Sequence, residues 1–377
     1  MRDPGHVALG SWSGGRFMHF GEALDEDRLE ALLRPGPDVP AVITADVYGQ
    51  GEADRLVGRA LTGLERERCW LAGAVGHDFY AGARAGARGF PRFTDPALRG
   101  PDDYAGYLRR ATEASLERLG AGHLDLLLLH NPDRTGYTDE RVWDAMAALR
   151  DEGLTRAIGV APGPANGFTL DVLACLERFG GLIDWAMLIL NPLEPWPGEL
   201  VLPAAEAKGV RVIARVVDYG GLFHDDVLPG HEFAPGDHRG FRPAGWVEAG
   251  RERMEGMRPV ADRHGLSMLG LAGAWCLAHP AVSCLAPTLI QERAPAARPI
   301  EDKRADLAAV PAGRVLSAAE VDEIRAVGDN TGCMALKGAA PDFEGEERPD
   351  RWAVTAELAD LGRRWGIEPE RDLRPAA

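Results

Sequence analysis

The chain has little of several features that mark common classes of protein. Its five cysteines among 377 residues are scattered and include no Cys-x-x-Cys pair, which argues against both a disulfide framework and a thiolate zinc site. Apolar runs such as residues 126–129 are far too short to span a bilayer, and the N-terminal segment lacks the apolar stretch of a secretory signal. We therefore expect a soluble protein of the reducing cytoplasm with no membrane partner.

Positive charge is also scarce. The chain has Lys+Arg 42 against Asp+Glu 58, a formal net charge of -16, and no basic run. Because nucleic-acid binding depends on clustered lysine and arginine that neutralise phosphates, a nucleic-acid partner is not expected. We expect a small-molecule substrate instead, and the sequence indicates no particular oligomeric state.

What the chain does have is a regular alternation of short apolar segments with longer amphipathic ones, which is typical of a parallel sheet with helical crossovers. Strands are predicted at residues 41–44, 69–74, 124–130, 156–160, 185–190, 210–216 and 282–286. Helices are predicted at residues 52–64, 103–118, 139–151, 168–179, 200–208 and 267–279. A short apolar segment at residues 7–10 is expected to form a small hairpin.

This rhythm predicts an α/β fold, a (β/α)8 TIM barrel with one strand missed or misplaced. A doubly wound open sheet is the alternative, but that fold favours a Gly-x-Gly-x-x-Gly fingerprint opening a helix after the first strand, and the chain has none there. With 45% hydrophobic residues, the chain is long enough for a core of barrel size.

Two regions depart from the repeat. Residues 218–250 form a polar, loop-rich insertion after strand seven, and in a barrel such a loop lies over the face that holds the site. From about residue 317 two helical patterns follow, at 318–327 and 351–365. We expect a single domain over residues 1–377, with a barrel core at about 5–310 and a C-terminal helical appendage at about 317–377.

Five motifs follow one another in an order that identifies a family. They are Ile-Thr-Ala-Asp-Val-Tyr-Gly at 43–49, Leu-Asp-Leu-Leu-Leu-Leu-His-Asn-Pro-Asp at 124–133, Thr-Arg-Ala-Ile-Gly-Val at 155–160, Gly-Gly-Leu-Phe at 220–223 with Asp-His-Arg at 237–239, and Cys-Leu-Ala-Pro-Thr at 284–288. Together they resemble the aldo-keto reductase superfamily over about residues 5–310. The resemblance implies a (β/α)8 barrel that transfers a hydride from NADPH to a carbonyl carbon.

The resemblance also implies catalytic residues. The family signature reads Asp-Thr-Ala-x-x-Tyr-Gly, so Tyr48 corresponds to the tyrosine that protonates the carbonyl oxygen, and His130 to the histidine that orients it. In the family, a lysine held by the aspartate makes the phenol, whose ordinary pKa is near 10, a better acid. Here the aspartate position is Ile43, the lysine position is Ala74, and no lysine precedes Lys208.

The two losses form a pair. Removing one partner of a buried ion pair costs roughly 3–5 kcal/mol, whereas replacing both partners by apolar groups can be neutral or favourable. Ile43 and Ala74 are such a joint replacement. We therefore expect a stable, remodelled pocket in which the phenol of Tyr48 is less acidic than in a working reductase.

The positions that the resemblance assigns to the nicotinamide have changed as well. The Ser-Asn expected after strand five is Ala161-Pro162, and the glutamine expected on the next strand is Met187. The carboxamide of a nicotinamide would have fewer hydrogen-bond partners here and would be bound less tightly, because each buried polar group left unpaired costs about 1–3 kcal/mol. We expect no cofactor, or NADPH if the chain acts as a reductase. The remnants of a cofactor site would then be Leu222, Thr288 and Arg293.

Two further sets of residues belong to the predicted site. The expected wall of the substrate pocket consists of Trp12, Asp46, Trp196, Arg215, Asp218 and Tyr219. The insertion also carries groups of the kinds that bind first-row metals, namely His224, Asp225, Asp226, His231, Asp237 and His238. Their spacing matches no standard metal motif, so we expect a polar lid and no metal.

Three functions remain open. The first is an enzyme that left redox chemistry and uses His130 and Tyr48 for acid–base work on a hydroxy-carbonyl or sugar-like metabolite, by dehydration, elimination, cyclisation or isomerisation. A histidine with a pKa near 6.5 can act as a general base at neutral pH. The second is an NAD(P)H-dependent reductase, and the third is a non-catalytic binding protein. Joint loss at the catalytic and carboxamide positions favours the first, a lyase- or isomerase-type enzyme.

Overall fold

The computed structural model describes residues 3–86, 89–163, 168–294, 297–331, 341, 345–348 and 351–374. Its sheet has the strand order β1 to β8, each strand parallel to the next. The strands are β1 Ala8–Gly10, β2 Ala41–Ile43, β3 Trp70–Val75, β4 Leu126–His130, β5 Ile158–Ala161, β6 Trp185–Ile189, β7 Arg211–Arg215 and β8 Val282–Ala286. A parallel bridge between Val7 and Leu285 brings the first strand to the last. The sheet is a nearly closed (β/α)8 barrel, which confirms the predicted fold class.

Strand side chains alternate between the inside of the barrel and the helices around it, as the pleat of a strand requires. The inward-facing cluster is rich in alanine and contains Ala8, Ala41, Ile43, Ala45, Trp70, Ala72, Ala74, Leu126, Leu128, Ala157, Ala161, Trp185, Met187, Ile213, Cys284 and Ala286. The rings of Trp70 and Trp185 lie 5.8 Å apart, and the guanidinium of Arg211 lies over Trp185. These three residues begin their strands, so bulk fills the amino-terminal end of the barrel and small residues line its carboxyl end.

Helices cover the outside of the barrel. They are α1 Glu26–Leu33, α2 Glu52–Ala60, α3 Tyr104–Leu119, α4 Arg134–Thr138, α5 Glu140–Asp151, α6 Thr169–Phe179, α7 Leu202–Lys208, α8 Trp246–His264, α9 Met268–Ala278, α10 Ile300–Ala308, α11 Ala318–Val327, α12 Ala356–Arg364 and α13 Pro369–Asp372. The six helices predicted between the strands are all present. Capping side chains explain several starting points, because an oxygen there accepts an otherwise unpaired amide hydrogen; these are Asp25, Asp139, Ser267, Ser317 and Thr355.

Residues 7–10 form no hairpin, so that prediction was wrong. β1 pairs in parallel with β2, Ala8 opposite Ala41 and Gly10 opposite Ile43. On the other side, the amide of Leu285 donates to the carbonyl oxygen of His6 at 2.9 Å. The segment is the barrel strand missing from the sequence-based count, and its three buried residues are too few to show the alternation of a strand.

The two regions outside the repeat lie against the barrel. The insertion after β7 contains 3-10 turns at Leu222–His224 and His238–Phe241 and leads into α8. In the C-terminal region, α12 packs beside α6. Trp352 is 1% exposed, and its Nε1 donates to Oδ1 of Asp171 in α6 at 3.0 Å.

Four cysteines are buried, Cys69, Cys175, Cys276 and Cys284. Cys333 lies outside the described residues. Within the described part of the chain, no helix combines the length and the apolar character needed to cross a bilayer.

Candidate active site

Tyr48 lies just beyond β2, in a 3-10 turn at Tyr48–Gly51. Gly49 has a φ of 58°, and a Cβ there would lie 2.9 Å from a ring carbon of Phe17, so the turn requires glycine directly after the tyrosine. The ring of Tyr48 packs against the inward-facing cluster. Its hydroxyl has no hydrogen-bond partner among the described residues, which leaves it available to a ligand at the carboxyl end of the barrel.

His130 ends β4 on the inward-facing side of that strand. Its ring meets the ring of Tyr48 edge to face, with centroids 5.7 Å apart. Burial, followed by the guanidinium groups of Arg92 and Arg215, lowers the pKa of His130 to about 3. The imidazole is therefore neutral at physiological pH.

The prediction that His130 keeps a pKa near 6.5 and acts as a general base is wrong. An imidazole with a pKa of about 3 binds a proton too weakly for that role at neutral pH. Its Nδ1 is buried without a hydrogen-bond partner among the described residues, and Nε2 is not enclosed in this way. With its proton on Nε2, the neutral ring can donate a hydrogen bond to a carbonyl oxygen.

His77 is a site residue that the sequence reasoning missed. Its ring lies 5.1 Å from that of His130, edge to face, and its Nε2 is 3.2 Å from Nδ2 of Asn131. Burial, then Arg92 and His130, lowers the pKa of His77 well below its ordinary value. The sequence could have identified His77 from its position just after the carboxyl end of β3, because the residues of a barrel site come from the loops at the carboxyl ends of the strands.

Arg215 ends β7 at the same face of the barrel. It follows the inward-facing Ile213 by two residues, so it also lies on the inward side of its strand. Its Nη2 donates to the carbonyl oxygens of Pro162 at 3.3 Å and Gly163 at 3.1 Å. Its Nε is buried without a partner among the described residues. The structure therefore brings a cation to the carboxyl end of the barrel, which we call its mouth.

The charge of Arg215 acts on Tyr48. Burial raises the pKa of the Tyr48 phenol above its ordinary value, and the guanidinium of Arg215 offsets part of that rise. Ile43 and Ala74, at the positions of the family's aspartate and lysine, are both in the inward-facing cluster against which Tyr48 packs. The cation that acts on Tyr48 comes from β7.

Four more predicted site residues lie at the mouth of the barrel. Three were predicted at the nicotinamide site and one in the wall of the substrate pocket. Ala161 and Met187 belong to the inward-facing cluster, and Ala161 stands opposite His130 in the sheet. Trp12 packs against the same cluster, and its Nε1 donates to the carbonyl oxygen of Pro287 at 3.1 Å. Pro162 follows Ala161 and accepts from Arg215. These residues surround the space beside Tyr48 and His130 with apolar surface.

Two predicted wall residues lie elsewhere. Asp46 is fully buried, and the charged groups that act on it, Asp54, Arg118 and Asp78, lie on α2, α3 and the loop after β3. Burial and Asp54 raise its pKa well above the ordinary value. The Nε1 of Trp196 donates to the carbonyl oxygen of Asp372 at 2.6 Å. Asp46 therefore faces the helices, and Trp196 anchors the C-terminal region, so neither is placed with Tyr48.

Two more predicted wall residues, Asp218 and Tyr219, follow β7 and are also separate from Tyr48. Asp218 is fully buried and accepts the amides of Thr288 at 2.9 Å and Leu289 at 3.2 Å. Burial raises its pKa, but His224 and these amides outweigh burial and leave the pKa below its ordinary value. Asp218 thus ties the loop after β7 to the loop after β8. Tyr219 stacks under the guanidinium of Arg242, 4.4 Å from its ring centroid.

The three predicted remnants of a cofactor site have different environments. Leu222 is fully buried in the hydrophobic core. The amide of Thr288 is already bonded to Asp218. Arg293 is exposed and has no acidic partner among the described residues. Of the three, only Arg293 is free to meet a phosphate in this structure.

The acids of the insertion pair with cations. Asp225 pairs with Arg251 at 2.6 Å and with Arg258 at 3.0 Å. Asp226 pairs with Lys303 at 2.6 Å, and Asp237 with Arg239 at 2.8 Å. Among the described residues, no group of three or more His, Cys, Asp or Glu side chains is arranged to hold a metal ion.

This barrel and its tyrosine and histidine at the carboxyl ends of the strands define an α/β-barrel of reductase type, and comparison with known proteins gives the family. A model described as "Aldo/keto reductase family" matches residues 8–294. The chain belongs to the aldo-keto reductase family.

Known relatives are distant. A "Probable voltage-gated potassium channel subunit beta" of Oryza sativa subsp. japonica is 25% identical over 280 residues, 72% of this chain and 80% of that protein. The "6-dehydroglucose reductase" of Agrobacterium fabrum is 23% identical over 287 residues, 73% and 81% of the two chains. Among solved structures, an aldo/keto reductase from Klebsiella pneumoniae in complex with NADP and acetate is 22% identical with a TM-score of 0.57, covering 93% of this chain and 100% of that one.

These comparisons correct the expectation that the chain uses no cofactor. The Klebsiella pneumoniae structure contains NADP, and another aldo-keto reductase from that organism is in complex with NADPH. The family relationship therefore indicates a nicotinamide cofactor rather than none. The chain is an aldo-keto reductase family enzyme, and the lyase- or isomerase-type reaction favoured by the sequence finds no support among these relatives.

Proposed function

We propose that the chain is a cytoplasmic NAD(P)H-dependent reductase of a small carbonyl compound, with Tyr48 as proton donor and Arg215 as the cation that assists it. The observation that carries the proposal is the free hydroxyl of Tyr48 at the barrel mouth. A neutral His130 adjoins it at 5.7 Å between ring centroids, and the guanidinium of Arg215 is close enough to act on its pKa. An acid, a hydrogen-bond donor and a positive charge are the groups that carbonyl reduction requires.

The residues present fit the nicotinamide end of such a cofactor. The buried Nε of Arg215 has no partner among the described residues, and a carboxamide oxygen would satisfy it. Pro162 and Met187 offer apolar contact to a ring. At the phosphate end, the exposed Arg293 supplies positive charge. When bound, the reduced nicotinamide supplies the hydride for the carbonyl carbon.

Tyr48 and Arg215 act together on the proton. As the carbonyl carbon is reduced, negative charge develops on its oxygen, and the hydroxyl of Tyr48 neutralises that charge by donating its proton. Burial makes the resulting phenolate costly, since a charged form is disfavoured away from water. The cation of Arg215 stabilises the phenolate and offsets part of this cost. Arg215 thus performs from β7 the electrostatic role that the resemblance assigns to the lysine position, here Ala74.

His130 holds the carbonyl oxygen in place. Its pKa of about 3 keeps the ring neutral, so it donates a hydrogen bond from Nε2 without transferring a proton. Contacts with the rings of His77 and Tyr48 restrict the orientation of its imidazole. This orienting role suits a reductase better than a reaction that needs a strong general base.

We propose a sugar-like hydroxy-carbonyl as the substrate class. The Agrobacterium fabrum relative is named as a reductase of 6-dehydroglucose, and the site offers hydrogen-bond donors inside an otherwise apolar mouth. We further propose that residues 1–377 act as one domain, because Trp196 and Trp352 bond the barrel to the C-terminal region through Asp372 and Asp171.

The proposal is tested by following NADPH oxidation with a panel of sugar-derived and simple aldehydes and ketones. Wild-type protein should oxidise NADPH in the presence of at least one of these carbonyls, and Tyr48→Phe should not. Tyr80→Phe is the matched control, since Tyr80 is 49% exposed and lies outside the site. Equal rates for wild type and Tyr48→Phe with an active carbonyl would overturn the proposal.

A further inference from the structure

A cavity opens beside the loops that follow β6 and β7. Its volume is about 190 Å³, comparable to engineered cavities of about 150 Å³ that hold one benzene ring. Its lining includes Glu194, Tyr219, Phe241, Arg242, Trp246 and Arg253, together with Ala249 of α8. Tyr48, His130 and Arg215 do not line it, so it is distinct from the candidate active site.

The walls of this cavity are aromatic and are held in place by Arg242. The guanidinium of Arg242 lies 4.4 Å from the ring centroid of Tyr219 and 5.0 Å from that of Trp246. It also forms a two-point contact with Glu194, at 3.1 Å and 3.2 Å. Because the rings are stacked on one paired cation, the walls are ordered before any ligand arrives. Phe241, 49% exposed, completes the aromatic rim.

The residues that line the cavity carry one net positive charge. Glu194 and Arg242 cancel each other, which leaves Arg253. Arg253 is partly buried and has no acidic partner among the described residues. Along α8 its neighbours three and four positions away are Ala249, Gly250, Gly256 and Met257, so no carboxylate is placed to pair with it along the helix. An unpaired guanidinium at the edge of an apolar cavity is a receptor for a carboxylate.

We propose that this cavity binds a planar aromatic carboxylate, with its ring against the aromatic walls and its carboxylate on Arg253. The small side chain of Ala249 leaves room for the ring beside α8. A Cβ at position 250 would lie 2.5 Å from a side-chain carbon of Leu222, so glycine there reflects close packing with the turn after β7. Binding at this site needs neither cofactor nor turnover.

Calorimetric titration with benzoate, and with benzamide as its neutral analogue, tests the proposal on the full chain. Benzoate should bind saturably and benzamide more weakly. Arg253→Gln should weaken benzoate binding by about tenfold, since a charge-assisted hydrogen bond is lost, and Arg253→Lys should recover part of it. Arg263→Gln is the matched control on α8, because Arg263 is exposed and pairs only with Glu320 and Glu323 among the described residues.

A filling variant provides a test that does not depend on Arg253. Ala249 is exposed, so Ala249→Leu should leave the fold intact while abolishing benzoate binding. Thermal melting of each variant checks folding. Absence of benzoate binding to wild type, equal binding of benzamide, or unchanged binding in both Arg253→Gln and Ala249→Leu would each overturn the proposal. Because these are equilibrium measurements, they decide the question whether or not the chain reduces carbonyls.

Discussion

His130 and Tyr48 meet edge to face at the mouth of the barrel, with ring centroids 5.7 Å apart. His130 also meets the ring of His77, with centroids 5.1 Å apart. Two ring contacts restrict the orientation of the imidazole, and burial beside Arg92 and Arg215 keeps it neutral. This arrangement suits hydrogen bonding to a carbonyl oxygen, and the hydroxyl of Tyr48, which has no hydrogen-bond partner among the described residues, is the proposed proton donor.

Loss of the Tyr48 hydroxyl or of the His130 imidazole should abolish catalysis without unfolding the protein. Tyr48→Phe removes the proton donor and His130→Ala removes the orienting donor, so kcat should fall by about 10²–10⁴-fold in each. Circular dichroism and thermal melting should show a folded protein, with a larger loss of stability in His130→Ala because it leaves a cavity. Near-wild-type activity in both variants would mean that the site lies elsewhere.

Removal of the cation at the mouth should change the pH dependence of reduction. In Arg215→Met the pKa of Tyr48 should rise, because the charge that offsets its burial is gone. We expect kcat to fall by about tenfold or more and the alkaline limb of the kcat profile to move to higher pH. Arg215→Lys keeps the charge and should restore much of the profile. A profile that is unchanged in Arg215→Met would show that Arg215 only shapes the pocket.

The buried imidazole should make the fold sensitive to acid. The unfolded chain protonates His130 with a pKa of about 6.5, whereas the folded protein holds that pKa at about 3. The resulting stability is fully present above pH of about 6.5 and is lost as pH falls toward 3, because the unfolded state takes up the proton first. Urea unfolding should show a loss of about 2 kcal/mol from this group between pH of about 7 and 5.

His130→Asn is the comparison for that measurement. It has no group to protonate in this range, so its stability should fall less over the same pH interval. His77, whose pKa is also lowered, remains in the variant and accounts for a residual slope. Parallel stability curves for the two proteins would contradict the lowered pKa of His130.

Asp46 should destabilise the fold in the opposite pH direction. Its raised pKa means that the folded state favours the protonated acid, so its contribution is present below the unfolded pKa and is lost as pH rises through the folded value. Asp46→Asn cannot ionise and should be more stable than wild type at alkaline pH, by roughly 1–3 kcal/mol. The advantage should shrink at pH of about 4. Asp102→Asn, at an exposed position, is the control, and the same pH slope in wild type and Asp46→Asn would refute this assignment.

Much of the fold could be predicted from the sequence, because each strand is an apolar segment between helical patterns. β1 could not be predicted, because its three residues are all buried and show no alternation of buried and exposed positions. Alternation does not place Asp46, because β2 ends at Ile43 and Asp46 lies in the turn that follows. Its position near Asp54 and Arg118 is visible only in the fold. Arg215, by contrast, lies within β7, two positions after the inward-facing Ile213, so alternation does predict that it faces inward.

Other features depended on contacts that no local pattern reports. Trp196 bonds to Asp372, 176 positions away in the chain, and a tryptophan in a loop gives no sign of such a partner. The lowered pKa of His130 depends on Arg92 and Arg215, which come from two other parts of the barrel. The effect of Arg215 on the pKa of Tyr48 likewise joins a residue of β7 to the turn after β2, which no local pattern reports.

The most direct test of the account is a calorimetric titration of the purified protein with NADPH, in wild type and in Arg215→Met. We predict saturable binding to the wild type at micromolar concentration and weaker binding to the variant, because Nε of Arg215 supplies a donor at the nicotinamide end. The absence of saturable binding to wild type at millimolar NADPH would contradict the account, whatever the substrate proves to be.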